Sequence, residues 1–349
     1  MTGRLIRLAG WLVTGLLVST GCQQPAPKPT GAEPSAFQSL VVSPSVAQTE
    51  QAVASLRRLD DHPLYQMTYA GPAPRLAPPG APSAAAAMPA GRRAYACTVF
   101  LAGGDPARPV VGRNFDWDHN PALLLVARPT DAYHSISLVD LSYLDLDPDK
   151  LADLSDDKRR QSLIRATALP FDGMNEHGLA IGMAQVDGVT EQRPGRPTVG
   201  SLAVIRLALD TTRTVDEAVR LFESYTVDFT GGPSLHYLIA DATGESAVVE
   251  FVAGRMRVLR DDRPWQLMTN FPLADADEAT RQGDWRYRTG SARLDAAGGR
   301  LDPATTMDLL RDLRQGHTQW SVAYDLRAGT AAVATGQQYD RVHHTSLRA

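Results

Sequence analysis

From residue 97 onward the chain is a succession of short apolar runs broken by Gly- and Asp-containing turns. The runs predict strands over 97–101, 110–116, 122–126, 135–141, 178–185, 236–240, 246–252, 256–259, 265–269, 319–325 and 331–335. Turn pairs such as Thr243-Gly244 and Ala253-Gly254 separate neighbouring runs, as antiparallel hairpins require. Helical spacing is rarer. Leu202, Ile205 and Leu209 predict a helix over 199–209. Thr214-Val215-Asp216-Glu217 is a capping box opening a helix over 218–225. Asp302-Pro303 starts a helix that runs to Leu313 and stops at Gly316, and another is predicted over 285–297. Strand groups with helices between them predict an α+β fold of two antiparallel sheets with outer helices.

Before residue 97 the pattern is weaker. A helix is predicted over 46–58, and Leu64, Met67 and Tyr69 predict a strand over 64–69. Residues 71–92 are dominated by Pro and Ala, which predicts an exposed linker. Residues 23–36 have the composition of a tether. Arg4 and Arg7 precede a short apolar stretch over 8–18, and Ser19-Thr20-Gly21-Cys22 follows. This order resembles the signal peptide and lipobox of a bacterial lipoprotein. It predicts removal of 1–21, lipidation of Cys22, and an exported protein anchored to the membrane in the bacterial cell envelope. An ordinary signal peptide with an incidental Cys22 is the alternative. The expected division is thus 1–21 signal, 22–96 tether and pro-segment, and 97–349 catalytic domain.

Composition narrows the function. With 349 residues, 43% hydrophobic and 21% charged, a large core is available. The net charge is −4 and no basic patch stands out along the chain, so no nucleic-acid partner is expected. There is no Cys-x-x-Cys and no His-Glu-x-x-His; His177, His236, His317, His343 and His344 lack ligand spacing. No metal or other cofactor is therefore expected. Asp140, Asp145, Asp147 and Asp149 could offer oxygen ligands to calcium but lack EF-hand spacing, and read as a solvated loop. His343-His344 reads as a solvated polar tail.

The chemistry concentrates at Cys97. There are two cysteines, so a lipidated Cys22 would leave Cys97 unpaired and worth considering as a reactive thiol. A hairpin through Gly103-Gly104-Asp105-Pro106 brings Gly112-Arg113-Asn114-Phe115-Asp116-Trp117 back toward it. Arg113 would favour the thiolate by charge. Were the chain cut between Ala96 and Cys97, the new α-amino group, with an intrinsic pKa of about 7.7–8.0, could act as base, held by Asp116. Taken alone, Arg113 and Asp116 also fit a solvated surface ion pair.

Cys97 with this hairpin resembles the N-terminal-nucleophile linear amide hydrolases of the choloylglycine hydrolase and penicillin V acylase superfamily. The branch containing isopenicillin-N acyltransferase and carcinine hydrolase is more similar still. Asp172-Gly173-Met174-Asn175-Glu176-His177-Gly178, His236-Tyr237-Leu238-Ile239-Ala240-Asp241, Met268-Thr269-Asn270-Phe271 and Trp285-Arg286-Tyr287-Arg288 resemble further family blocks in order. The resemblance spans about residues 97–335 and implies a four-layer αββα sandwich. It implies Cys97 as nucleophile supported by Arg113 and Asp116, with Asn270 donating to the oxyanion. Arg286 matches the late arginine, with Arg288 its competitor. Gln185 stands where bile-salt hydrolases carry an asparagine, and Asn175 reads as a turn residue.

The implied reaction cleaves a small-molecule linear amide through a Cys97 thioester, or passes the acyl group to an amine. Self-processing before Cys97 would proceed by an N-to-S acyl shift, with 64–69 remaining docked on the heavy fragment. Two other readings stay open: an envelope binding protein that keeps the fold without processing, and a Cys–His protease with His236 as base. Homo-oligomerisation is left open.

Overall fold

The computed structural model describes residues 37–78, 96–118, 121–188, 193, 195–230 and 232–348. Cys22, the signal segment and the linker beyond residue 78 lie outside these residues. A six-stranded antiparallel sheet runs from edge to edge through Trp265–Met268, Thr98–Ala102, Val110–Asp116, Thr318–Asp325, Thr330–Thr335 and His343–Ser346. Facing it, a nine-stranded sheet runs through Arg255–Leu259, Ser246–Val252, Leu235–Ala240, Ala180–Gln185, Asp172–Asn175, Ser135–Asp140, Ala122–Ala127, Leu64–Tyr69 and Arg57–Asp60. Its one parallel pairing joins Leu64–Tyr69 to Ala122–Ala127. Helices Trp285–Ala296 and Pro303–Asp312 pack on the first sheet, and Ala203–Thr211 and Val215–Glu223 on the second. The layers are therefore α, β, β, α.

Burial on both faces explains the continuous apolar runs: every residue of Ala122–Ala127 is buried. The edge strand Arg255–Leu259 is instead largely exposed, and its Arg255 and Arg257 discourage pairing with another chain. The two sheets approach closely at Gly182. A Cβ there would sit 2.9 Å from Val99 and 3.3 Å from the Arg113 side chain. The missing side chain makes room for Arg113 between the layers.

The strands predicted from residue 97 onward all form, with ends shifted by a residue or two. Other expectations need correction. Thr198–Gly200 is a strand, parallel to both Phe37–Gln38 and Thr226–Asp228, and the helix begins only at Ala203. The β-branched Thr198 and Val199 suit a strand, and Gly200 and Ser201 break the helical run. The first helix ends at Ala54, and Arg57–Asp60 pairs with Leu64–Tyr69 as a hairpin. Residues 71–78 are not a free linker: Arg75–Leu76 pairs with Leu40–Val41, and Ala73 and Ala77 are buried. His343 lies in a strand, and its Nε2 is 2.7 Å from Asp60 Oδ2. A buried carboxylate needs a partner, and His343 and Arg341 supply it. The acidic run is not simply a solvated loop either. Asp140 is buried and caps the turn at Ser142, while Asp145 and Asp147 pair with Lys150.

Candidate active site

Cys97 immediately precedes the strand Thr98–Ala102, which pairs with Val110–Asp116 in the register Val99↔Arg113. Side chains alternate along a strand, so Cys97, Val99 and Arg113 share the face turned toward the second sheet. Arg113 Nη2 lies 4.0 Å from Cys97 Sγ. The guanidinium is fully buried and needs a counter-charge. Asp172, across on the nine-stranded sheet, forms an ion pair with Nη1 and is itself held by Trp320 Nε1 at 3.2 Å and the Tyr324 hydroxyl. Below the guanidinium lie the rings of Phe115 (5.0 Å) and Trp320 (5.9 Å), stacked on each other. This cationic, aromatic floor is the environment of the sulfur.

Asp116 is an odd number of residues beyond Arg113, so it points to the other face. There it accepts hydrogen bonds from the Thr318 hydroxyl and from Gln315 Nε2 at 2.8 Å. Burial pushes its carboxyl above the ordinary range, against those hydrogen bonds and the charge of Arg286. Arg286 reaches the site because Asp284 caps its helix, accepting from Arg286 N and Tyr287 N at 2.9 Å each and pairing with Arg286 Nη2. Arg286 Nη1 donates to the Cys97 carbonyl at 2.8 Å and to Asn270 Oδ1 at 3.0 Å. Arg288, two residues on and on the opposite side of the helix, bonds the Gln282 carbonyl at the surface.

Asn270 follows the edge strand Trp265–Met268. Its Oδ1 accepts from Cys97 N at 2.8 Å, and its Nδ2 donates to the Gln185 carbonyl at 2.7 Å. Donors on one side and an acceptor on the other fix the orientation of this amide. Gln185 thus enters the network through its backbone carbonyl. The segment carrying Asn270 is braced from behind. Both ring nitrogens of the buried His236 are engaged, Nδ1 with Glu250 Oε1 (2.8 Å) and Nε2 with the Thr269 carbonyl (2.7 Å). Glu250 also accepts from Leu273 N and Ala274 N. Burial opposes ionisation of Glu250, yet these hydrogen bonds hold its carboxyl below the usual range.

The sulfur itself is buried, which pushes its pKa up. The charges of Arg113 and Arg286 and a backbone hydrogen bond from Asp116 pull the other way without cancelling the effect. A cavity of about 300 Å³ is lined mainly by apolar groups, among them Phe37, Leu40, Tyr143, Phe171, Met183 and Leu235. Leu235 pairs with Gln185, whose carbonyl holds Asn270, and Phe171 packs edge-on against Phe115. The cavity lining thus neighbours residues that contact the site but contains neither Cys97 nor Asn270.

Cys97, Arg113, Asp116, Asn270 and Arg286 are brought together from four separate stretches of chain. Asn175 is elsewhere: its buried side chain bonds the Leu209 and Thr212 carbonyls and the N–H groups of His177 and Leu179, closing the turn ahead of Gly178. Sequence reasoning did not single out Asp172, Gln315 or Thr318. For Asp172 a signal existed, since a buried arginine demands a carboxylate. For the other two there was none beyond the helix stop at Gly316.

Solved structures share these layers. Penicillin V acylase from Agrobacterium tumefaciens matches with a TM-score of 0.54 at 18% identity, covering 72% of this chain and 86% of that one. A mutant conjugated bile acid hydrolase from Clostridium perfringens matches at 0.52 and 16%, covering 72% and 92%. The fold is the αββα sandwich of N-terminal-nucleophile hydrolases. Residues 162–341 match the acyl-coenzyme A:6-aminopenicillanic acid acyl-transferase family, and the chain belongs to that family, within the choloylglycine hydrolase superfamily. Penicillin V acylase of Pectobacterium atrosepticum is 26% identical over 215 residues, 57% of this chain and 55% of that protein. The chain thus spans about half the length of this curated relative.

Proposed function

We propose that this protein is a cysteine amidohydrolase or acyltransferase, activated by cleavage between Ala96 and Cys97. It would act on a small-molecule amide with an apolar acyl group. The observation that carries this reading is the convergence of Arg113, Asn270 and Arg286 on the sulfur, nitrogen and carbonyl of one residue, with Asp116 beside Arg286. Once Cys97 is N-terminal, its amine takes the thiol proton while the sulfur adds to the substrate carbonyl. Asn270 has a second amide hydrogen beyond the one given to Gln185, and this is the donor assigned to the oxyanion. The amine leaves with a proton, and water or an acceptor amine then releases the acyl group from sulfur. Arg113, held by Asp172, keeps positive charge beside the thiolate. Phe37 and Leu40 of the pre-cleavage segment help line the apolar cavity assigned to the acyl group.

The family match and the acylase and bile acid hydrolase relatives support this chemistry. Anchoring through lipid on Cys22, in the cell envelope, belongs to the same proposal and rests on the sequence of residues 1–22. The test incubates purified protein with penicillin V and with a conjugated bile acid, following release of primary amine. Amine release by the cut protein, absent from Cys97→Ala, is the expected result. A cut protein that releases amine equally well without the Cys97 thiol would overturn the assignment.

A further inference from the structure

We infer that Gln315 is the oxyanion donor of the self-cleavage step, a role separate from that assigned to Asn270 on substrate. This rests on the reading that the chain is cut before Cys97. Gln315 Nε2 lies 3.3 Å from the carbonyl oxygen of Ala96, the oxygen that gains negative charge when the Cys97 sulfur adds to that carbonyl. The same nitrogen is 2.8 Å from Asp116 Oδ2. An amide nitrogen carries two hydrogens, one for each acceptor, and because both neighbours accept, it is the nitrogen and not the oxygen that faces them.

The scissile peptide is gripped at both ends with opposite polarity. Its N–H donates to Asn270 Oδ1 at 2.8 Å, and its C=O accepts from Gln315. Asn270 turns its oxygen toward this bond and gives a hydrogen to Gln185, so its orientation does not serve the Ala96 oxygen. Gln315 is set for the task by the turn after helix Pro303–Asp312. Its N–H donates to Thr318 Oγ1 at 2.9 Å, Thr318 N–H donates back to its carbonyl at 3.2 Å, and the Thr318 hydroxyl donates to Asp116.

The Cys97 thiol loses its proton and the sulfur bonds the Ala96 carbonyl carbon, placing charge on the oxygen beside Gln315. The carbon–nitrogen bond breaks, nitrogen takes up a proton, and an Ala96 thioester with a free Cys97 amine results. Water then adds to the thioester, the carbon–sulfur bond breaks, and the Ala96 carboxylic acid and Cys97 thiol are released. Gln315 stabilises the first oxyanion and, with the same donor, the one formed by water.

The test follows cleavage of full-length chain made by cell-free synthesis, by intact mass against time, for wild type, Gln315→Glu, Gln315→Met and Thr318→Val. Loss of one oxyanion donor is expected to slow cleavage about 100-fold in both Gln315 variants. The near-isosteric, uncharged methionine serves if the glutamate unfolds the turn, and a thermal melt of each variant reports folding. Thr318→Val removes a partner of Asp116 but leaves the Ala96 oxygen its donor, and is expected to slow cleavage far less. Folded Gln315 variants cut at the wild-type rate overturn the inference. Equal slowing by Thr318→Val also overturns it, because Gln315 would then act through Asp116. A wild-type chain that stays whole overturns the reading of self-cleavage itself, and is told apart by that result alone.

Discussion

The sulfur and the nitrogen of Cys97 sit in two different environments, although three bonds separate them. The sulfur faces the space between the sheets, over Arg113 with Asp172 and the rings of Phe115 and Trp320. The nitrogen and its neighbouring carbonyls face Asn270, Arg286 and Gln315, with Asp116 beside the last two. The division follows from the two-residue period of a strand, which sends Arg113 and Asp116 to opposite faces. On the proposed reading, one side holds charge on sulfur, and the other holds and exchanges protons on nitrogen and oxygen.

Breaking the centre itself should have the largest effect. Cys97→Ala is expected to remain a single uncut chain and to lose at least ~10⁴-fold in amide turnover; a cleaved variant, seen by gel, would mean that another group does the cutting. On the sulfur side, Asp172→Asn leaves the Arg113 charge buried without its carboxylate. A loss of about 3–5 kcal/mol in denaturant unfolding is expected, and an unchanged midpoint would show that Arg113 does not depend on Asp172. On the nitrogen side, Asn270→Ala should lower kcat about 10²–10³-fold in material already cut; an effect confined to KM would remove Asn270 from the transition state.

His236 tests the comparison from outside it. It touches neither side of Cys97 but braces the segment that carries Asn270 through Thr269 and Glu250. His236→Gln should cost about 1–3 kcal/mol of stability while turnover persists. Abolished turnover with unaltered stability would instead favour a Cys–His protease. The smallest effect is that of pH. Because burial raises the Cys97 thiol above its ordinary range, the thiolate fraction keeps growing above about pH 8.5. Self-cleavage should therefore accelerate with pH through that region, and a rate already flat at pH 7 would mean that a thiolate is present from the start.

Much of this was legible in the sequence, for physical reasons. Strands covered on both faces leave unmistakable apolar runs, so the two sheets could be read from residue 97 onward. The hairpin register that brings Arg113 to Cys97 followed from a short turn. Asn270 and Arg286 were reachable only through family resemblance, since a lone asparagine at a strand end and one arginine on a helix carry no signal of their own. Gln315 was hidden because its role depends on where a helix stop places a side chain, 219 residues away in sequence from the carbonyl it meets. Residues 37–78 were underread because they are held by edge pairings and by polar contacts such as Asp60 with His343, which leave no periodic pattern.

On the proposed reading, one residue supplies both a thiol and a free amine. Sequencing the N-terminus of the purified mature heavy fragment tests it most directly. A first cycle of cysteine followed by Thr98, Val99 and Phe100 is the predicted result. An intact chain across Ala96 and Cys97 in fully active protein would contradict it.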